Sequence, residues 1–207
     1  MVEEGEVSDE WSCRPTVEEE VLHFRKSQKK DLIVVGGRQI ESQERLEVLA
    51  VGSREDFKSG TKVHRLIREI ENAGGVPVLP WGFGKWFGTR GRSLERVIKS
   101  PDLPEFFLGD SAHRPSLWPE SACFRRAEEY GIQSLPGSDP LPIQREVGRV
   151  GEFGFMMKGE LDLNNPAQDL RRKLLNASTP LYPFGDRVDF LRSVQNQVLM
   201  QYRKLVQ

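Results

Sequence analysis

Asp110, His113 and Asp139 are the residues of this 207-residue chain best suited to catalysis by type and position. A carboxylate can move a proton or bind a cation, and an imidazole titrates near neutral pH. Cations that could neutralise an anionic ligand lie close by in sequence: Lys85, Arg90 and Arg114. Gln39 and Ser138 could hydrogen-bond a ligand, and Trp81, with Trp86, could stack on a planar one.

What unites these residues is where they fall. Four apolar runs, closing at Val35, Leu79, Leu108 and Leu135, are each followed by glycine beside charged or hydrogen-bonding residues. The segments are Gly36 to Gln39, Pro80 to Trp86, Gly109 to Arg114 and Pro136 to Pro142. Glycine permits sharp turns and lets a ligand approach backbone N–H groups. In parallel α/β folds, ligands bind where such loops converge at the C-terminal ends of strands.

Hydrophobic periodicity supplies the elements that would position the loops. Thr16 and Glu19 have capping-box spacing, and Val17, Val21 and Phe24 predict a helix ending near Lys29 and Lys30. Leu32–Val35 and Leu46–Val51 read as strands, too close in sequence for a helical crossover between them. Val63, Leu66, Ile67 and Ile70 stripe a helix that stops at Gly74-Gly75. Strands are then expected at Val76–Leu79, Glu105–Leu108 and Ile132–Leu135. Between them come a helix capped by Ser93 and one running from Pro119 to Tyr130. Val147 to Gly159, with four glycines, predicts a hairpin or covering loop. A helix from Asn165-Pro166 through Ala177 follows. A final long helix after Asp186 is striped by Val188, Leu191, Val194, Val198, Tyr202 and Leu205.

Residues 1–15 are expected to be an acidic flexible tail, and 16–207 a single α/β domain. Thirty basic against thirty-one acidic side chains leave a net charge of −1, which disfavours nucleic acid and anionic membranes as partners. Met1 to Glu10 lacks a signal-peptide pattern, and no apolar run reaches membrane-span length. With only Cys13 and Cys123, and no CxxC pair, a cytoplasmic location is expected. Neither GxGxxG nor GxxxxGK[ST] occurs, and HExxH and GxSxG are also missing.

The loops resemble the PHP (polymerase and histidinol phosphatase) family, a distorted βα barrel of metal-dependent phosphoesterases. Gly37-Arg38-Gln39-Ile40 with Leu46-Glu47-Val48-Leu49 is similar to its first element. Ile67 to Gly75, then Val76 to Trp81, is similar to its second. Ala127 to Gly131, then Leu135 to Leu141, is similar to the strand ending in GSDAH. The resemblance implies an incomplete or distorted βα barrel, to which the stripe after Asp186 adds a long C-terminal helix, and a divalent metal (zinc, manganese or iron). Most implied ligands are absent: Gln39 replaces a glutamate, Trp81 and Leu141 replace histidines, and the opening HxH is missing. Asp139 alone survives as a metal ligand.

Three functions follow as expectations. The first is a PHP-like protein that has lost most of its metal site and binds a small anionic, phosphorylated ligand. The second is a metal-dependent hydrolase with a centre rearranged onto Asp110, His113 and Asp139. The third is a non-catalytic assembly protein, with a homodimer formed by the C-terminal helix or an exposed sheet edge.

Overall fold

A computed structural model of the chain describes residues 5–8, 11–26, 30–115, 122–176 and 179–206. An antiparallel meander comes first: β1 (Gly5–Ser8), β2 (Trp11–Arg14), β3 (Val21–Lys26) and β4 (Lys30–Val35), ordered β1-β2-β3-β4. The stretch expected to be a tail thus supplies two strands. The expected helix at Thr16 is instead a turn into β3. The Thr16 hydroxyl donates to the Glu18 and Val21 carbonyls, which leaves no capping box. Val21 and His23 alternate inward with period two, and that alternation prevails over the helical spacing of Val17, Val21 and Phe24.

Gly36 joins this meander to a second, five-stranded sheet. Its strands are β5 (Gly37–Glu41), β6 (Glu47–Val51), β7 (Val76–Pro80), β8 (Phe107–Ser111) and β9 (Ser134–Gly137), lying side by side in chain order. The β5–β6 and β6–β7 pairs are antiparallel, while β7, β8 and β9 run parallel. Gly37 is required where β5 meets β6, because a Cβ there would sit 2.7 Å from the Ala50 carbonyl oxygen.

Helices α1 (Val63–Asn72), α2 (Gly88–Ile98) and α3 (Ala122–Glu129) make the connections after β6, β7 and β8. They pack on one face of the sheet against Val48, Ala50, Leu79 and Leu108. The α1 stripe of Val63, Leu66, Ile67 and Ile70 is completely covered, each side chain contributing about 1.5–3 kcal/mol. The opposite face, with Val76, Val78 and Phe107, is covered by Leu170 and Leu174 of α4 (Pro166–Leu174). A short 3-10 turn (Gln144–Arg149), the hairpin of β10 (Phe153–Met156) and β11 (Tyr182–Gly185), and α5 (Phe190–Val206) complete the chain. Pro119 and Ala177, expected at helix ends, and Lys29 lie outside the described residues.

The expected incomplete or distorted βα barrel closed by a long C-terminal helix is therefore corrected. The larger sheet is open, with β5 and β9 at its edges, and only three of its strands are parallel. A βα barrel needs eight parallel strands with crossovers. Here the β5–β6 hairpin and the separate meander take the place of the opening units. The described helices span 8 to 17 residues, and α5 touches the loop after β8.

Candidate functional site

Antiparallel β6 brings its first residue to the end of the sheet where β7 and β8 finish, since Leu49 pairs with Val78 and Val78 with Phe107. Side chains alternate between faces along each strand. Phe107 belongs to the α4-side core and Leu108 to the α1–α3 core, so Ser111 leaves β8 on the α4 side and Asp110 on the other.

On the α4 side, Glu47, Lys85, Ser111, His113 and Asp139 come together. Lys85 forms an ion pair with Glu47. The His113 amide donates to the Ser111 oxygen at 3.1 Å, and Ser111 lies close enough to the Asp139 carboxyl to favour its charged form. Asp139 adopts a left-handed conformation, φ 41°, directly after β9. Loss of water around its carboxyl pushes its pKa up and Glu47 adds to this, against the opposing effects of Ser111, His113 and Lys85. The residue is nevertheless exposed.

His113 is buried, and burial lowers its pKa against the opposing charges of Glu146 and Asp139. The Asp139 carbonyl also lies beside the ring and favours the charged form, yet neither ring nitrogen makes a well-formed hydrogen bond. Glu146, from the 3-10 turn, is fully enclosed, with one oxygen 3.5 Å from His113 Nε2. Its other oxygen accepts from Asn196 at 3.0 Å and Arg192 at 3.3 Å, both on α5, and Arg149 Nε lies 3.8 Å away. The Ser193 hydroxyl donates to the His113 carbonyl at 3.2 Å.

Asp110 occupies a neighbouring cluster. Arg114 clamps its two oxygens at 2.8 and 2.9 Å, and Arg187 donates to it as well. Arg114 is buried with its guanidinium 4.9 Å from the Phe124 ring centre, and Arg187 lies 5.4 Å from that of Phe153. Four guanidiniums, of Arg114, Arg187, Arg149 and Arg192, thus surround the two carboxylates of Asp110 and Glu146. The excess of two positive charges falls to one when Glu152, 3.3 Å from Arg149, is counted.

The expected site residues therefore divide. His113, Asp139 and Lys85 converge, with Lys85 already neutralised by Glu47. Both oxygens of Asp110 are engaged by Arg114 and Arg187. Arg90 caps the loop before α2 by donating to the Gly84 carbonyl at 3.0 Å. Ser138 accepts from the Gly151 amide at 3.2 Å. Gln39 lies on edge strand β5, opposite Leu49 and away from β8. Trp81, only 5% exposed, is a core side chain and cannot stack on a ligand. Among the described residues, no group of three or more His, Cys, Asp or Glu is placed to hold a metal ion.

The sequence reading missed Glu146, Arg149 and Arg187. Their only sequence signal was charge in the Gly-rich last third, and nothing there indicated that they would turn inward. Ser111 lay within a segment already singled out. Known proteins offer no guide, since no family model, curated protein or solved structure matches the chain.

Proposed function

We propose that the chain binds a small anionic ligand, of the phosphate-ester class, beside His113 at the C-terminal ends of β8 and β9. The observation that carries this reading is the concentration there of buried polar atoms without well-formed hydrogen bonds. His113 Nε2 and Arg149 Nε lie 3.5 and 3.8 Å from Glu146 Oε2, ion-pair contacts without well-formed hydrogen bonds, and His113 Nδ1 and Arg187 Nε also lack a hydrogen-bond partner. Buried polar groups are normally hydrogen-bonded, so a cluster of poorly bonded ones marks a place for a polar guest. Donors outnumber acceptors, and the local excess of guanidinium charge selects an anion. Arg149 and Arg187 would contact it, and Lys85, held by Glu47, would stand at the rim. This reading keeps the ligand class implied by the PHP resemblance and discards the barrel.

A second reading, hydrolysis of the bound ester, is favoured by one further observation. Desolvation lowers the pKa of His113 and raises that of Asp139, and the two interact. An imidazole and a carboxyl in one site, with pKa values shifted by their surroundings, are the groups acid–base hydrolysis uses. No helix among the described residues is long and apolar enough to cross a membrane. With two cysteines in the sequence and no CxxC pair, we place the ligand in the cytoplasm.

The test of binding is a melting curve in inorganic phosphate, with chloride at equal ionic strength as control. A ligand at a hundred times its Kd adds about 2.7 kcal/mol to stability. A phosphate-specific rise in Tm that disappears in Arg187→Met supports the proposal, and identical curves in both salts overturn it. Turnover of a phosphate monoester, lost in Asp139→Asn, separates hydrolysis from binding alone.

A further inference from the structure

The side chains that would meet an anion at His113 and Glu146 present almost no surface to solvent. Glu146 is 0% and His113 4% exposed, so no ligand reaches them unless part of the protein moves. Helix α5 stands over both residues. Ser193 donates to the His113 carbonyl at 3.2 Å, and Asn196 and Arg192 donate to Glu146. These contacts are polar, and so is the covered face itself. Among the described residues of α5, Ser193 and Asn196 are buried, and no apolar side chain is. A helix held in this way lacks the apolar burial that supplies most helical stability in proteins.

We infer that α5 is a lid over His113 and Glu146 that swings about Val188; that an anion enters beneath it rests on the function proposed above. The base of the helix is fixed. Val188 is buried, and its amide donates to the Ala112 carbonyl at 2.8 Å. Arg187, just before it, donates to Asp110. Asp189 then caps the helix, its carboxylate accepting from the Arg192 amide at 2.8 Å, so the first turn is closed and moves with the rest. Beyond this pivot the hydrogen bonds that tie the described part of α5 to the protein are few. They are those of Ser193, Asn196 and Arg192, together with Arg145, which donates to Asn196 and accepts from Arg192 through its carbonyl. Local opening is drawn from segments with little apolar packing. Lifting α5 bares His113 and Glu146 while β3 of the meander, with buried His23, stays closed.

The chain has three histidines, and their labelling by diethyl pyrocarbonate in the full-length protein, read by peptide mass spectrometry, tests the lid. His64, half-buried on α1, reports the reagent's activity, and His23, 7% exposed, reports opening of the molecule as a whole. In the parent, His113 should react faster than His23 despite similar burial. Ser193→Ala removes one hydrogen bond from the closed lid and should speed His113 labelling about three- to tenfold, leaving His23 and His64 at their parent rates. A His113 as inert as His23 overturns the inference, and so does a parent rate of His113 labelling in Ser193→Ala. Acceleration of His23 in step with His113 overturns it as well, because the opening is then global. Excess inorganic phosphate, against chloride at equal ionic strength, separates the lid from its ligand. Labelling of His113 that Ser193→Ala speeds but phosphate does not slow upholds the lid and overturns the anion beneath it.

Discussion

His113 Nε2 lies 3.5 Å from Glu146 Oε2, and both side chains are almost completely enclosed by protein. The imidazole reaches this position from the loop after β8, and the carboxylate from the 3-10 turn after β9. Burial drives the ring toward its neutral form while the carboxylate opposes it. The pair is thus poised by competition between desolvation and charge, and α5 closes over it.

Removing the carboxylate should be costly. Glu146→Ala leaves Arg149, Arg192 and Asn196 facing an empty acceptor position, and breaking such a buried pair costs about 3–5 kcal/mol. Urea unfolding measures this, with Glu146→Gln expected to lose less. A change within about 0.5 kcal/mol, typical of a surface substitution, would contradict the account.

The pH dependence has two opposing parts. Because the folded pKa of His113 is depressed, the unfolded chain takes up a proton first as pH falls, so stability is lost as pH drops below about 6.5 toward the folded value. For Asp139 the sign reverses. Its folded pKa is raised, so its contribution is fully present below about 3.8 and is lost as pH rises through the folded value. At neutral pH the ionised carboxyl therefore works against folding. Asp139→Asn should raise Tm at pH 7, helped by the tolerance of asparagine for left-handed backbone, with the gain shrinking in acid. An unchanged or lower Tm at pH 7 would refute this.

One carboxylate links the two halves of the molecule. Glu18, in the turn before β3, accepts from the Ala167 and Gln168 amides at 2.6 and 2.8 Å, capping α4 from outside its own segment. Glu18→Ala should cost about 1–2 kcal/mol, and limited proteolysis should then release the N-terminal meander sooner than in the parent. Equal cleavage rates would show that the cap is not what holds the meander in place.

Trp81 separates packing from binding. Trp81→Ala should destabilise by about 3–5 kcal/mol through loss of core contacts, whereas Trp81→Phe should fold and retain phosphate binding. Loss of binding in a folded Trp81→Phe protein would return the residue to the site.

Legibility in the sequence followed the range of the interactions. The α1 stripe and the Gly74 stop were readable because their cause is local: four apolar residues at helical spacing and a glycine at φ 77°. β3 was misread because Val21, Leu22 and Phe24 satisfy both periods, and its pairing with β2 and β4 decides between them. β5 escaped notice because Ile40 is its only buried residue. In α5 the stripe itself was visible, but periodicity reports which face is apolar and not what covers it. Asp139, His113 and Lys85 could be singled out in the sequence because each lies within five residues of a strand end. Glu146 and Arg187 arrive 33 and 77 positions after their partners His113 and Asp110, and only tertiary structure joins them.

The central claim is that the arginine-rich strand ends hold an anion beside His113. Titration calorimetry of the parent chain and of Arg149→Met with phenyl phosphate tests it most directly. The account predicts saturable one-site binding to the parent, weakened at least about tenfold in the variant, which is roughly 1.4 kcal/mol for a lost charged hydrogen bond. Absence of binding to the parent, or equal affinity in a folded variant, would contradict it.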